Sequence, residues 1–309
     1  MVIKMKNNQI LILLKESDIL MEKVFKYNFK NSDIMRIKEY FTPFDREKLA
    51  TKINNNYQQV IFYDYYNQFY LLLPLISKKV IKKYIISEGI GVLYKPYSLI
   101  NFQQIFEYKE RNLIDFIATT RYDVHVSFKN KISYIELDYK VTNKKEDNSK
   151  SIGILNEYYV EESNFFNQLS AVALTDIKKV TVLDNSDIIK EFSDDFSISV
   201  DIEKDIEKLI YKNIVNLNCK FCDISSLYFI MSMDAEIPCI LGNTNLLDND
   251  LELKKYLVLD SDDDVNEIKL KIEQSIKDKS KIMKLYNTWR KKYTTNSEKS
   301  IDSFIKLEK

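Results

Sequence analysis

The 309-residue sequence predicts an α/β protein made of two doubly wound, parallel-sheet domains. Short apolar runs of strand length alternate with longer segments of helical period along the chain, the pattern of parallel strands joined by crossover helices. One run, TNKKEDNSK over residues 142–150, is polar, charged and without apolar periodicity, and it separates two blocks of similar size. With 45% apolar residues the chain can bury two ordinary cores. The boundaries follow as an N-terminal domain over 1–141, a linker over 142–150, a C-terminal domain over 151–293 and a last helix over 294–309. Two such domains joined by a linker are expected to face a cleft.

In the first block the expected order is a strand over 9–14, amphipathic segments through Lys52, a strand over 59–63, and a helical run after Asn67 that Pro74 interrupts. A strand near 84–87, a helix within 98–112 and short apolar segments at 114–118, 124–128 and 132–137 complete it. The second block restarts with a strand over 151–155 that carries Gly153. An acidic and aromatic loop over 156–162, a helix over 165–173, a strand over 180–183 and a helix over 201–211 follow. Val215, Leu217, Cys219 and Phe221 then alternate with Asn216, Asn218 and Lys220, which is the period of a strand. Ser225 or Ser226 can cap the next helix, whose apolar face is broad, and the run 237–241 is short and apolar enough for a buried strand. Residues 256–259 are expected as a strand. Val265, Ile268, Ile272, Ile276, Met283, Tyr286 and Trp289 stripe a long terminal helix.

Composition excludes several function classes. Lys plus Arg and Asp plus Glu both number 46, so no global field steers the chain to nucleic acid or anionic lipid. The apolar run at 10–14 is too short for a secretory core and no run reaches the roughly 20 residues of a membrane span, so a cytoplasmic location is expected. Cys219 and Cys222 form a C-x-x-C, but with Cys239 the only other cysteine and a single histidine a zinc site lacks ligands; no metal is expected. Only four glycines occur, Gly89, Gly91, Gly153 and Gly242, and they cannot form a G-x-G-x-x-G fingerprint or a P-loop. In so glycine-poor a chain, each survivor is expected where the backbone needs positive φ or close approach.

Ligands of open α/β sheets bind beyond the carboxyl ends of the strands, which selects the candidate residues. The turn Gly242, Asn243, Thr244 after the 237–241 strand exposes backbone donors and small polar groups. Asn156, Glu157, Asn167 and Gln168 follow the first strand of the second block, where a phosphate or ribose can dock. In the first block Asp64, Tyr65, Tyr66 and Asn67 fall after the 59–63 strand, and aromatic faces with amides suit sugars or peptides. His125, within an alternating YDVHVSF, is a candidate general base by its ordinary pKa near 6.5. Asp260, Asp262, Asp263 and Asp264 invite a metal reading, yet their place before the helix at Val265 favours capping and charge complementation of its N-terminus.

The second half resembles glycosyltransferases of the GT-B fold. The resemblance rests on IPCILGNTN (237–245), on YLVLDSDDDVNEI and on the tail YNTWRKKYTTNSEKSIDSF. Many retaining members carry an acid, seven residues, then Glu-Ser-Leu-Ala-x-Gly-hydrophobic-Pro-Cys or Val and a glycine turn. On this chain Asp223 matches the first acid, Met231 stands at the second with Ser232 after it, and Glu236 stands at the glycine. The resemblance implies two facing Rossmann-like domains, a final helix crossing back to the first, and a nucleotide-diphosphate sugar as donor substrate with no other cofactor. The donor side would be Asp223 with Gly242, Asn243, Thr244, Asn167, Asn156 and Glu157; the acceptor side, for a protein or envelope glycan, would be Asp64, Tyr66 and Asn67. Because the second acid commonly contacts the ribose in those enzymes, Met231 also admits a catalytically inactive subunit that binds an acceptor or partners an active transferase, as a homo- or hetero-oligomer.

Overall fold

A computed structural model of the chain describes residues 9–87, 96–128, 131–141, 150–155, 163–183, 196–221, 226–244 and 246–308. The chain divides into two compact units, residues 1–138 with 295–309 and residues 139–294. All but one residue of the 142–150 run lies outside the described residues.

The first unit runs β1 (Ile10–Lys15), α1 (Ile19–Asn28), β2 (Ser32–Ile37), α2 (Pro43–Asn56), β3 (Gln59–Tyr63), α3 (Asn67–Leu72), β4 (Ile81–Ile86), α4 (Pro96–Glu110), β5 (Phe116–Thr119), α5 (Tyr122–Ser127) and β6 (Ser133–Tyr134). Its six strands form a parallel sheet in the order β2-β1-β3-β4-β5-β6. The central strands are apolar on both faces, Leu11 to Leu14 and Val60 to Phe62 being almost wholly buried, because helices cover both sides of a parallel sheet. Thr42 and Asp45 close a reciprocal capping box at the start of α2, with Pro43 in its first turn. Pro74 converts the end of α3 into a single 3-10 turn, Leu73–Leu75.

The second unit contains β7 (Ile152–Ile154), α6 (Phe165–Ala173), β8 (Lys179–Leu183), β9 (Ser199–Glu203), α7 (Ile206–Lys212), β10 (Val215–Asn218), α8 (Ser226–Asp234), β11 (Cys239–Leu241), α9 (Leu251–Leu257) and α10 (Val265–Lys277). Its sheet is also parallel, in the order β11-β10-β7-β8-β9. The last helix, α11 (Lys279–Ile305), gives its residues up to Thr294 to this unit and the rest to the first. Asn216 and Asn218 do not face solvent as the alternation of β10 predicts; both are buried. Asn216 donates to Ile210 O and Ser232 Oγ and accepts from Asn213, while Ser151 donates to Asn213 Oδ1. Gly153 leaves room for this network: a Cβ there would lie 2.2 Å from Asn216 Oδ1 and 2.3 Å from Asn213 Nδ2.

Five expectations are corrected. Residues 32–37 and 199–203 form strands where amphipathic segments and the start of a helix were expected. Both are edge strands, paired on one side only and half-exposed, so their sequences carry polar residues freely. Residues 122–127 are helical, which removes His125 from a strand. The expected strand at 256–259 is the end of α9 followed by a single bridge, Leu241 to Val258. The terminal helical stripe is two helices, broken at Asp278, whose carbonyl accepts from the N–H groups of Lys281 and Ile282.

Candidate functional site

Strand order locates a crevice in each unit. In the first unit the chain leaves β1 toward β2 on one side and toward β3 on the other; in the second, β7 leads to β8 on one side while β10 lies on the other. Ligand sites of open parallel sheets form at the carboxyl ends of strands that flank such a reversal.

In the second unit the loop leaving β11 and the start of α6 meet. Gly242 packs against the backbone of Lys220, where a Cβ would lie 2.4 Å from the carbonyl oxygen; its φ is not positive, so close approach alone requires glycine. The Asn243 N–H donates to Asp262 Oδ1 at 2.5 Å, and burial raises the Asp262 pKa while that hydrogen bond opposes the rise. Asn164, at left-handed φ 53°, stands at the N-cap of α6; its amide donates to the Asp262 carbonyl, and its Oδ1 accepts from Asn167 Nδ2 at 2.7 Å. Gln168 is wholly buried and clamps α6 to the end of β10, accepting from Cys219 N and donating to Cys219 O and Ser163 O. Beside it, Asn218 Oδ1 is buried without a hydrogen-bond partner. Thr244 is buried and its Oγ1 accepts from Leu246 N, leaving Asn243 as the exposed side chain of the turn.

In the first unit Asp64, directly after β3, holds φ 53°. Its N–H donates to Ile85 O, its carbonyl accepts from Tyr84 Oη, and its carboxylate accepts from Ser87 N at 2.7 Å and Ser87 Oγ at 2.5 Å. Burial raises its pKa, against the pull of Ser87, Lys15 and Arg121. Tyr66 lines a cavity of about 360 Å³ with Lys15, Glu16, Ser17 and Glu39, at the β1–β3 reversal. Asn67 begins α3 and accepts from Tyr65 Oη through its Oδ1.

The expected residues therefore divide. Gly242, Asn243, Thr244 and Asn167 gather near the carboxyl ends of the strands of the second sheet, and Asp64, Tyr66 and Asn67 follow the carboxyl end of β3 in the first. Asp223, Asn156 and Glu157 lie outside the described residues. His125 sits in α5, where its Nδ1 donates to Ile132 O at 3.0 Å and its ring lies beside Tyr122 and Tyr134. Met231 is wholly buried within α8. Asp264 caps α10 by accepting from Asn266 and Glu267 N–H, as its position before Val265 predicts. Among the described residues no group of three His, Cys, Asp or Glu side chains converges to hold a metal ion, and no helix is long and apolar enough to cross a membrane. Sequence reasoning missed Asn164, whose only local signal is an Asn before an apolar helix, and Arg121, which has none.

The fold is that of GT-B glycosyltransferases, two parallel α/β units with a final helix shared between them. Anabaena HepE, solved in complex with UDP and glucose, superposes with a TM-score of 0.71 at 8% identity, over 96% of this chain and 99% of that one. Sucrose-phosphate synthase of Thermosynechococcus elongatus gives 0.66 at 10% identity over 96% and 97%, and TarM of S. aureus 0.63 at 14% identity over 84% of this chain and 56% of its own. No known family profile matches the chain, and no curated protein matches it in sequence.

Proposed function

We propose that this chain is a glycosyltransferase that takes a sugar from a nucleotide-diphosphate sugar held by the second unit and passes it to a protein or envelope-glycan acceptor at the first. The observation that supports it most is the end-to-end likeness to an enzyme solved with UDP and glucose, 96% of this chain against 99% of that one. Gly242 keeps the turn free of side-chain bulk, Asn243 and Asn167 offer amides to ribose or phosphate, and Thr244 fixes the turn. Backbone donors and the N-terminal end of α6 carry the leaving diphosphate, with Asp223, Asn156 and Glu157 completing the donor side. Tyr66 and Asn67 hold the acceptor beside Asp64.

Calorimetry against uridine, guanosine and cytidine diphosphate sugars tests this. At least one should bind, and Asn243→Ala and Asn167→Ala should each weaken it by about tenfold, or 1.4 kcal/mol, with little change in melting temperature. Absence of binding across the panel sinks the proposal. A second reading, a catalytically inactive binding subunit that joins an active transferase, draws on two observations. Met231, at the place of a ribose-contacting acid, is fully buried, and Asp262 already occupies the Asn243 N–H. Turnover of any nucleotide-sugar by the wild type, lost in Asn243→Ala, rules that reading out.

A further inference from the structure

We propose that Arg121 anchors an oxyanion subsite in the first unit, one that takes a phosphate or carboxylate group carried by the acceptor. This rests on the reading that the first unit holds the acceptor. Arg121 lies two residues beyond β5 and is only 8% exposed, yet its Nε is buried with no hydrogen-bond partner. The Arg121 hydrogen bonds among the described residues belong to its main chain: its N–H donates to Thr119 Oγ1 and its carbonyl accepts from His125 N–H. A guanidinium is weakly hydrated and never loses its proton, and among the described residues no carboxylate forms an ion pair with this one, whose Nε is sealed from water.

Asp64, whose carboxyl feels the Arg121 charge, does not serve as its counter-ion. Its oxygens are engaged by Ser87 N and Ser87 Oγ, and no ion pair joins the two side chains. Adjacent parallel strands β3, β4 and β5 thus bring Asp64, Ser87 and Arg121 to the carboxyl end of the sheet, with the fork of Arg121 unspent among the described residues. Five N–H donors in a plane match two oxygens of a phosphate or carboxylate. A neutral sugar hydroxyl would leave the charge uncompensated, so an anionic group is the chemistry that fits. Asp64 contributes selection: its carboxylate repels an oxyanion placed wrongly and accepts from a neighbouring hydroxyl on the same ligand.

The test uses the full chain and inorganic phosphate as probe. In ¹⁵N-resolved spectra the Arg121 Nε–H signal, assigned by its absence in Arg121→Gln, should shift saturably with phosphate. Without ligand, Arg121→Gln should melt at or above the wild-type temperature, since a guanidinium with no ion partner among the described residues and a sealed Nε has been removed. Phosphate should raise the melting temperature of the wild type and leave that of Arg121→Gln unchanged; Arg121→Lys should bind at least about tenfold more weakly, having lost the fork. An Nε–H signal indifferent to phosphate, or a ligand-free Arg121→Gln that melts well below the wild type, overturns the subsite. A UDP titration separates the source of the oxyanion. Equal UDP affinity in wild type and Arg121→Gln supports an acceptor group, and a tenfold loss in Arg121→Gln overturns that assignment. A wild type that binds no UDP removes the donor reading, and the phosphate titration still decides Arg121 by itself.

Discussion

Glu236 holds its backbone at φ 60°, and it does so at the position where the resembling family carries glycine. The reason is the end of α8: Ile237 N–H bonds to Ser232 O and Glu236 N–H to Met233 O, the paired bonds of a Schellman motif, which needs a left-handed residue after the cap. Its side chain is exposed, so nothing but the backbone is at stake. Glu236→Gly should therefore stabilise the protein by about 1 kcal/mol, read as a higher midpoint in urea. Glu136 offers a pH test. Burial pushes its carboxyl from 4.5 up to about 7, and its Oε2 has no hydrogen-bond partner. Between those pH values the folded state keeps a proton that the unfolded chain has released, so this group's contribution falls as pH rises through the window. Glu136→Gln should accordingly raise the melting temperature at pH 8 and leave it nearly unchanged at pH 4. At this scale the glycine turn and the Asp264 cap were legible in sequence, since both depend on neighbours in the chain. Asp262 on Asn243, Asn164 on Asp262 and the stranded Arg121 were not, because each is set by packing between distant segments.

At the scale of elements, α8 and α11 are fastened by one ion pair. Arg290 donates from Nε to Asp234 Oδ1 at 3.1 Å and from Nη2 to Asp234 Oδ2 at 3.2 Å, and Tyr286 Oη adds a 2.5 Å bond to the same carboxylate. Both charged side chains are largely buried, at 13% and 15% exposure. Asp234→Ala would leave the guanidinium without its carboxylate and should cost about 3 kcal/mol, measured by denaturant unfolding. Trp289 and Tyr293 stack beside this pair, with Phe229 edge-on to Trp289. The apolar stripe of α11 announced this packing, whereas the ionic fastening had no sequence signal because 56 residues separate its members. Central strands were legible for the same reason the stripe was: burial on both faces forces continuous apolar runs. The edge strands β2 and β9 were not, since one solvated side frees their composition.

For the whole molecule, the shared final helix matters most. The first unit is incomplete without its C-terminal residues: Ser297 Oγ donates to Glu136 O, Ile301 and Phe304 are buried, and the wholly buried Lys83 donates through Nζ to Phe304 O and Ile305 O at 2.6 and 2.7 Å. These carbonyls end a helix, where a cation is favoured. A chain truncated after Thr294 should lose the calorimetric transition of the first unit, or show it shifted well downward, while that of the second unit is retained. The first crossing between units falls between Asp138 and Tyr139, before the polar run at 142–150 in which the sequence places a linker. The second crossing falls inside a continuous helix and carries no compositional mark.

Lys83 also sets an order of events during synthesis. Its ammonium is made early, but the carbonyls that receive it come 221 and 222 residues later, after the whole of the second unit. Translation at roughly 5–20 residues per second puts on the order of ten to forty seconds between the two. Through that interval the Lys83 ammonium has neither the Phe304 and Ile305 carbonyls nor the helix end that covers it in the complete structure. The packing of the first unit around Lys83 is therefore completed only after the second unit has been made.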